Sequence, residues 1–234
     1  MDNLPTPSVP DLARAHGETK DELISWFLAF YEDMGAPFNY LTSVRAIKQS
    51  YRGLHSLPVL LSSCAREVTK QGRKSNEDVI KLGAPVAFGR STQVFDLSPR
   101  KFRFGRDFSS GYRVPFFFVE SGTVKLFFIQ PRKSFSLTID QLCMVASIHK
   151  RFLLDQEFFG NDVDIEYLDL SANPTTNERD KKVYSLRDFV LWPEDRLSER
   201  LTKIADALTF VRESGIIRPR RRIERRVDPE LPLF

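Results

Sequence analysis

Three carboxylates have the types and spacing to hold a divalent cation beside a phosphate. Asp164 and Glu166 lie in the alternating segment Val163–Leu168, which predicts a strand with both acids on one face. Glu120 stands at a predicted turn. Mg²⁺ prefers such oxygen ligands and activates water for phosphodiester hydrolysis. The same pattern has an explanation without function, in which both strand acids face water and Glu120 is a solvated turn residue.

A second set of residues combines positive charge with aromatic rings. The cations are Arg100, Lys101, Arg103, Arg106 and Arg113, and the rings are Phe102, Phe104 and Phe108. Cations bind phosphates and rings stack on bases, as a nucleic-acid surface requires. Because a strand at 101–104 would turn the rings inward, the pattern favours phosphate contact over stacking. Chance clustering of basic residues explains the pattern equally well.

A third set is a run of arginines near the C-terminus. Six arginines stand there against one acid, Glu224: Arg218, Arg220, Arg221, Arg222, Arg225 and Arg226. The run carries more positive charge than the net +4 of the whole chain, so the rest of the chain is close to neutral. Guanidinium groups pair with phosphate in a bidentate way, which favours a polyanion as partner. The alternative is a solvated tail without a ligand.

The arginines are followed by a short apolar hook, Glu230-Leu231-Pro232-Leu233-Phe234. The hook resembles the bacterial sliding-clamp-binding motif, usually glutamine, leucine, any residue, leucine and phenylalanine. Leu231, Leu233 and Phe234 match, and Glu230 replaces the glutamine with loss of its donor. The resemblance implies that the apolar side chains fill a pocket on the clamp. Alternatively, Phe234 packs on the body of this chain.

The centre of the chain resembles the core of the PD-(D/E)xK nucleases. The apolar runs 114–119 and 124–129 predict a β-hairpin, and a helix with Gln141 near its start follows. The resemblance implies an acid on the first strand, and an acid and a lysine two residues apart on the second. Gln130 and Arg132 stand at the latter positions, and Pro115, Phe116 and Phe117 near the former. A site degenerate in this way would bind phosphate through Arg132 and Lys133 without cutting it.

Other site chemistries find little support in the sequence. His16, His55 and His149 have no cysteine or histidine at ligand spacing, so we expect no metal site of that type. Neither a phosphate-binding glycine loop nor a nucleophile elbow is present. We therefore expect no cofactor, with Mg²⁺ required only if the chain is a nuclease.

The elements that must position these residues follow from periodicity and capping signals. Thr19-Lys-Asp-Glu22 and Thr138 each predict a helix start, the second helix running to about Leu154. Residues 39–51 and 57–68 are further helix candidates. A last helix follows Trp192-Pro193 and ends at Gly215. The segment 101–104 is expected as a third strand beside the hairpin, and residues 70–75 as an exposed polar stretch.

Composition places the chain in the class of soluble globular proteins. Of its 234 residues 41% are hydrophobic and 28% charged, and no apolar run reaches the roughly 18 residues of a membrane span. The first residues lack the pattern of a signal peptide. Cys64 and Cys143 lie far apart in apolar surroundings, which predicts free buried thiols. These features favour a cytoplasmic protein without a membrane partner.

Together the patterns predict a single α+β domain over residues 19–215, with a helical part at 19–80 and a mixed part at 81–215. Residues 1–18 are expected to be an extended lead-in, and residues 216–234 a basic tail with its hook. The leading hypothesis is a DNA-associated, non-catalytic protein that binds nucleic acid by basic residues and docks a partner by the hook. The alternatives are a Mg²⁺-dependent nuclease and a protein-interaction module that never meets nucleic acid.

Overall fold

A computed structural model describes residues 4–32, 39–134, 136–173 and 175–217 of the chain. Within these ranges the helices are α1 (Val9–Arg14), α2 (Lys20–Glu32), α3 (Leu41–Tyr51), α4 (Leu57–Ser62), α5 (Lys70–Gly83), α6 (Ile139–His149), α7 (Asp155–Glu157) and α8 (Glu194–Ser214). Short 3₁₀ turns occupy Ser63–Arg66, Ala84–Ala87 and Leu186–Asp188, and a π-helical segment at Lys150–Leu154 continues α6.

The strands form two sheets. They are β1 (Gln93–Asp96), β2 (Lys101–Phe104), β3 (Phe108–Gly111), β4 (Phe116–Glu120), β5 (Thr123–Gln130), β6 (Val163–Asp169) and β7 (Lys182–Tyr184). The larger sheet has the order β1-β4-β5-β6-β7, and β2 pairs with β3 alone. Only the β5–β6 pair is parallel among these strands, because α6 crosses over between them. Helices and a mixed sheet make this an α+β fold, as predicted.

The large sheet separates two hydrophobic cores. On one face Phe116, Phe118 and Phe127 pack with residues of α3, α4 and α5. On the other face Leu126 and Tyr167 pack with residues of α2, α6 and α8. Burial on both faces explains why the two hairpin runs are continuously apolar instead of alternating. The sheet is thus the middle layer between two sets of helices.

The helix starts predicted at Thr19 and Thr138 each carry a capping box, which was predicted for Thr19 alone. The Thr19 hydroxyl accepts from the amide of Glu22, whose carboxylate accepts from the amide of Thr19. Thr138 and Gln141 make the same reciprocal pair at the start of α6. These bonds satisfy amides that a helix start would otherwise leave unpaired. At its other end α8 stops where Gly215 adopts φ +63°, the left-handed conformation that glycine tolerates best.

Several expectations from the sequence are wrong. Residues 9–14 of the expected extended lead-in form α1, whose Val9 and Leu12 are fully buried. Most of the polar stretch 70–75 is exposed as expected, but it begins α5, so the helical part extends beyond residue 80. The strand at 101–104 exists but pairs with β3 and not with the hairpin β4–β5. Propensity identifies a strand, whereas its partner depends on packing that a local pattern does not contain.

No helix in the described parts of the chain has both the length and the apolar character needed to cross a membrane.

Candidate functional site

The small sheet β2–β3 carries most of the predicted basic set. Phe102 and Phe104 on β2 and Phe108 on β3 are each 4–5% exposed. Their rings form a stacked row, with centroids 5.4 Å apart for Phe102–Phe104 and 5.6 Å for Phe104–Phe108. The row anchors the small sheet in the core on the α8 side of the molecule. Exposed cations and buried rings therefore alternate along β2, with the rings turned inward as the sequence predicts.

The cations of this sheet point outward. Lys101, Arg103, Arg106 and Arg113 are exposed, and their side chains form no hydrogen bond or ion pair with any described residue. We call these four residues the basic face. Asp107, in the turn between the two strands, is the one carboxylate of the segment 100–113. A surface with four cations and one acid attracts polyanions.

The other predicted phosphate-binding residues are placed differently. Arg100 forms an ion pair with Glu157, its Nε lying 3.2 Å from the carboxylate oxygen, so its charge is partly neutralised. Arg132 and Lys133 are exposed beyond the end of β5. They follow the central strand of the large sheet and belong to neither strand of the small sheet. Arg132 and Lys133 are therefore not part of the strands that carry the basic face.

The predicted acids are joined by an arginine that the sequence analysis did not single out. Arg90 donates to both oxygens of Glu120 at 2.7 and 2.8 Å, and to both oxygens of Glu166 at 3.0 and 2.8 Å. Tyr51 donates its hydroxyl to Glu166, and Lys125 Nζ lies 2.9 Å from Glu120. We call these five residues the Arg90 network. Each carboxylate in the network has at least two donors.

Stacking and burial hold this network in place. The Arg90 guanidinium carbon lies 5.2 Å from the ring centroids of both Tyr51 and Phe118. Glu166 is buried on β6, and Glu120 is half-buried at the end of β4. The hydrogen bond from Arg90, with help from Lys125, lowers the pKa of Glu120 to about 2. Glu120 is therefore an ionised carboxylate whose oxygens are bonded to protein donors.

These contacts correct the interpretation of the acids as solvent-facing residues. Glu166 faces inward toward α3, and Glu120 is a member of an ion-pair network and not a free turn residue. Asp164 is half-buried, and its Oδ1 accepts from the amides of Ile165 and Leu186. Within the described ranges no group of three or more histidine, cysteine, aspartate or glutamate residues is arranged to hold a metal ion.

An open groove of about 650 Å³ runs beside this network. Its lining includes Lys125, the β6 acids Asp164 and Glu166, and residues 183–188. Both signs of charge are present, since Arg187 and Asp188 belong to the last of these segments. A groove of mixed charge does not select one class of charged ligand.

The residues at the positions that the nuclease resemblance implies are buried in the interior or take part in structural contacts. Phe116 is fully buried and pairs with Phe127 across the hairpin. Gln130 is buried, and it lines a small apolar recess against α6 together with Asp169. Gln141 serves in the capping box of α6. Hairpin, crossover helix and parallel strand thus follow in the expected order without the acids of a catalytic centre at those positions.

A buried histidine completes the polar interior. His149 is fully buried, its Nδ1 contacts the Tyr167 hydroxyl, and its Nε2 lies 3.2 Å from the Tyr112 carbonyl oxygen. Burial lowers the pKa of His149 to about 4, so the ring is neutral near pH 7.

The remaining predicted residues lie outside the described part of the chain. They are the six tail arginines Arg218, Arg220, Arg221, Arg222, Arg225 and Arg226, and the hook residues Glu230, Leu231, Leu233 and Phe234.

No protein-family model, curated protein or solved structure matches this chain.

Proposed function

We propose that this protein binds nucleic acid without cleaving it, and that the basic face is its principal folded contact. One observation carries the proposal: four exposed cations on and beside a small sheet have no carboxylate partner among the described residues. They are gathered on a segment whose aromatic residues are buried in anchoring it.

Strand geometry fits the cations to a phosphate backbone. Lys101 and Arg103 lie two residues apart on β2, and a strand rises about 3.3 Å per residue. Their side chains therefore leave the sheet on one side about 7 Å apart. Such a row contacts successive phosphates without reading base identity. We infer binding with little sequence preference and a strong dependence on salt concentration.

The acids support a non-catalytic protein. A metal-dependent nuclease needs carboxylates that are free to hold Mg²⁺ next to the scissile phosphate. Glu120 and Glu166 are instead bonded to Arg90, and Asp164 accepts from two backbone amides. Their contacts explain these acids as structural groups of the interior.

The arginine tail and the hook extend the same proposal. Residues 218–226 would add phosphate contacts independent of sequence, and the hook would dock a protein on the nucleic acid, such as the sliding clamp. Two weak contacts on one chain raise the effective affinity of both. Replacement of the usual glutamine by Glu230 predicts modest affinity of the hook alone.

The basic face is tested by removing two of its charges. In the variant Lys101→Ala/Arg103→Ala, we expect weaker binding to short duplex DNA at every salt concentration. The slope of log affinity against log salt should fall by about 2, since each phosphate that the protein neutralises contributes about 0.9 to it. Fluorescence anisotropy over a salt series measures both quantities.

A matched control removes two exposed lysines from the opposite layer, Lys74→Ala/Lys81→Ala on α5. This variant has the same net charge as the test variant, and we expect it to bind like the unaltered protein. Equal weakening in both variants would show a general charge effect and contradict a specific basic face. Failure of the unaltered protein to bind any nucleic acid would overturn the proposed function.

A further inference from the structure

Three phenylalanines pack against one another at the β1 end of the large sheet, and a fourth, exposed one follows the third in the chain. Phe95 on β1 stacks on Phe117 of β4 with centroids 5.1 Å apart and planes 16° apart. Phe117 contacts Phe158 edge-on at 5.0 Å. Phe159 follows in the chain and is 87% exposed, while Phe95 is 42% exposed. We call Phe95, Phe117, Phe158 and Phe159 the aromatic edge.

A defined turn displays Phe159. The amide of Asn161 donates to the Phe158 carbonyl at 3.0 Å, and the Asn161 side chain donates to the same oxygen at 3.2 Å. Gly160 has φ +80°, which a turn of this kind requires at its third residue. The ring is therefore held outward at the tip of an ordered turn. Packing inside the protein does not explain the position of the Phe159 ring, since no ring contact joins Phe159 to another described residue.

The aromatic edge adjoins the segment that carries the basic face. Glu157, one residue before Phe158, pairs with Arg100, one residue before β2. Of the acids close to the rings in sequence, Glu157 pairs with Arg100, Asp155 with Lys150, and Asp96 with Lys48 and Arg52. Asp162 is exposed and accepts from the Thr123 hydroxyl. The ion pair between Glu157 and Arg100 brings the turn that displays Phe159 next to the start of β2, the strand that carries Lys101 and Arg103.

From this arrangement we propose that the preferred ligand is single-stranded nucleic acid, whose bases stack on Phe159 and Phe95 while its phosphates contact Lys101 and Arg103. The inference rests on the proposed function and specifies its substrate class. Bases in a duplex are stacked on one another, whereas an unpaired strand offers their faces to aromatic side chains. The neighbouring cations favour this ligand over an apolar protein segment, which gains nothing from a row of unpaired positive charges.

Three probes of equal length separate the contributions: single-stranded oligothymidine, a duplex, and an abasic strand that keeps the phosphates and lacks the bases. We expect the unaltered protein to bind oligothymidine more tightly than the other two. Phe159→Ala should weaken binding to oligothymidine at least about five-fold, because it removes the ring on which one base stacks. It should leave the affinity for the abasic strand unchanged. Phe159→Trp should retain or improve the affinity.

Val190→Ser is the matched control, because Val190 is an 83% exposed apolar residue in the loop before α8. It should leave all three affinities unchanged. Equal affinity for all three probes, with no effect of Phe159→Ala, would overturn the inference and leave the proposed function standing. If the unaltered protein binds none of the three probes, both the inference and the proposed function are wrong. Capture of an apolar peptide that Phe159→Ala abolishes, without any preference for unpaired bases, would identify a protein-docking surface and also overturn the inference.

Discussion

Arg90 is the residue on which the polar interior depends. It bonds two carboxylates that come from different strands, and its guanidinium contacts two aromatic rings. Lys125 is the second cation within reach of Glu120, whereas Glu166 relies on Arg90 and the neutral hydroxyl of Tyr51. Without Arg90, Glu166 would be a buried charge that lacks a cationic partner in this network.

Replacing Arg90 with methionine should therefore destabilise the protein by about 3 kcal/mol, because breaking a buried ion pair leaves a charge uncompensated. In the double variant Arg90→Met/Glu166→Gln the unpaired charge is removed, and we expect part of the stability to return. Urea unfolding followed by circular dichroism measures both. If Arg90→Met unfolds at the same urea concentration as the unaltered protein, the network makes no net contribution.

The sequence alone did not reveal this network, and the reason is distance along the chain. Arg90 is separated from Glu166 by 76 residues, and Tyr51 by 115. Alternation within β6 shows that its acids share one face, but it does not show which layer covers that face. An inward-facing carboxylate and a solvated one give the same local pattern, so only the tertiary packing of α3 distinguishes them.

At the scale of elements, the small sheet depends on its contact with α8. Gly105 lies in the turn between β2 and β3 with φ +57°, and a Cβ atom there would meet Ala205 Cβ of α8 at 2.5 Å. The turn and the helix are thus packed without room for a methyl group. This close approach fixes the surface from which Lys101, Arg103 and Arg106 project.

Gly105→Ala should destabilise the protein by about 2 kcal/mol, because a left-handed non-glycine residue and a steric clash are added together. Adding Ala205→Gly should relieve the clash but keep the backbone strain, so recovery should be partial. Thermal unfolding of the single and double variants checks this. Full recovery in the double variant would show that the backbone conformation costs nothing, and no recovery would show that Ala205 is not the obstacle.

Elements with strong local signals were predictable. The capping boxes at Thr19 and Thr138 identify two helix starts, and Gly215 identifies a helix end, because each signal acts within a few residues. Helix α5 was missed because its first turns are polar and its buried aliphatic residues, Val79 and Ile80, come late. The aromatic edge was missed because Phe95 and Phe117 meet only when β1 pairs with β4.

At the scale of the whole molecule, net positive charge is concentrated in residues 218–226, with six arginines against one acid. The rest of the chain, basic face included, is close to neutral, so we expect binding to depend on the unpaired cations of the basic face and on this arginine run. The contribution of each is separable, since the tail residues stand at the end of the sequence and the basic face belongs to an anchored sheet.

A full-length variant with all six tail arginines changed to glutamine should show a salt slope smaller by up to about 5, or about 0.9 for each phosphate that is no longer neutralised. The comparison with the unaltered chain keeps the length constant. A second variant, Leu233→Ala/Phe234→Ala, should keep the full salt slope but no longer capture a purified sliding clamp. If the glutamine variant has an unchanged slope, the tail does not bind phosphates.

The two strands that border the large sheet are its shortest, β1 with four residues and β7 with three. An exposed strand edge is a template for pairing with another molecule, and a short edge offers few backbone groups for such pairing. The long central strands β5 and β6 are enclosed between neighbours in the sheet order. Concentrated solutions of the folded protein should accordingly resist growth of intermolecular β-structure, even though its central strands are rich in phenylalanine.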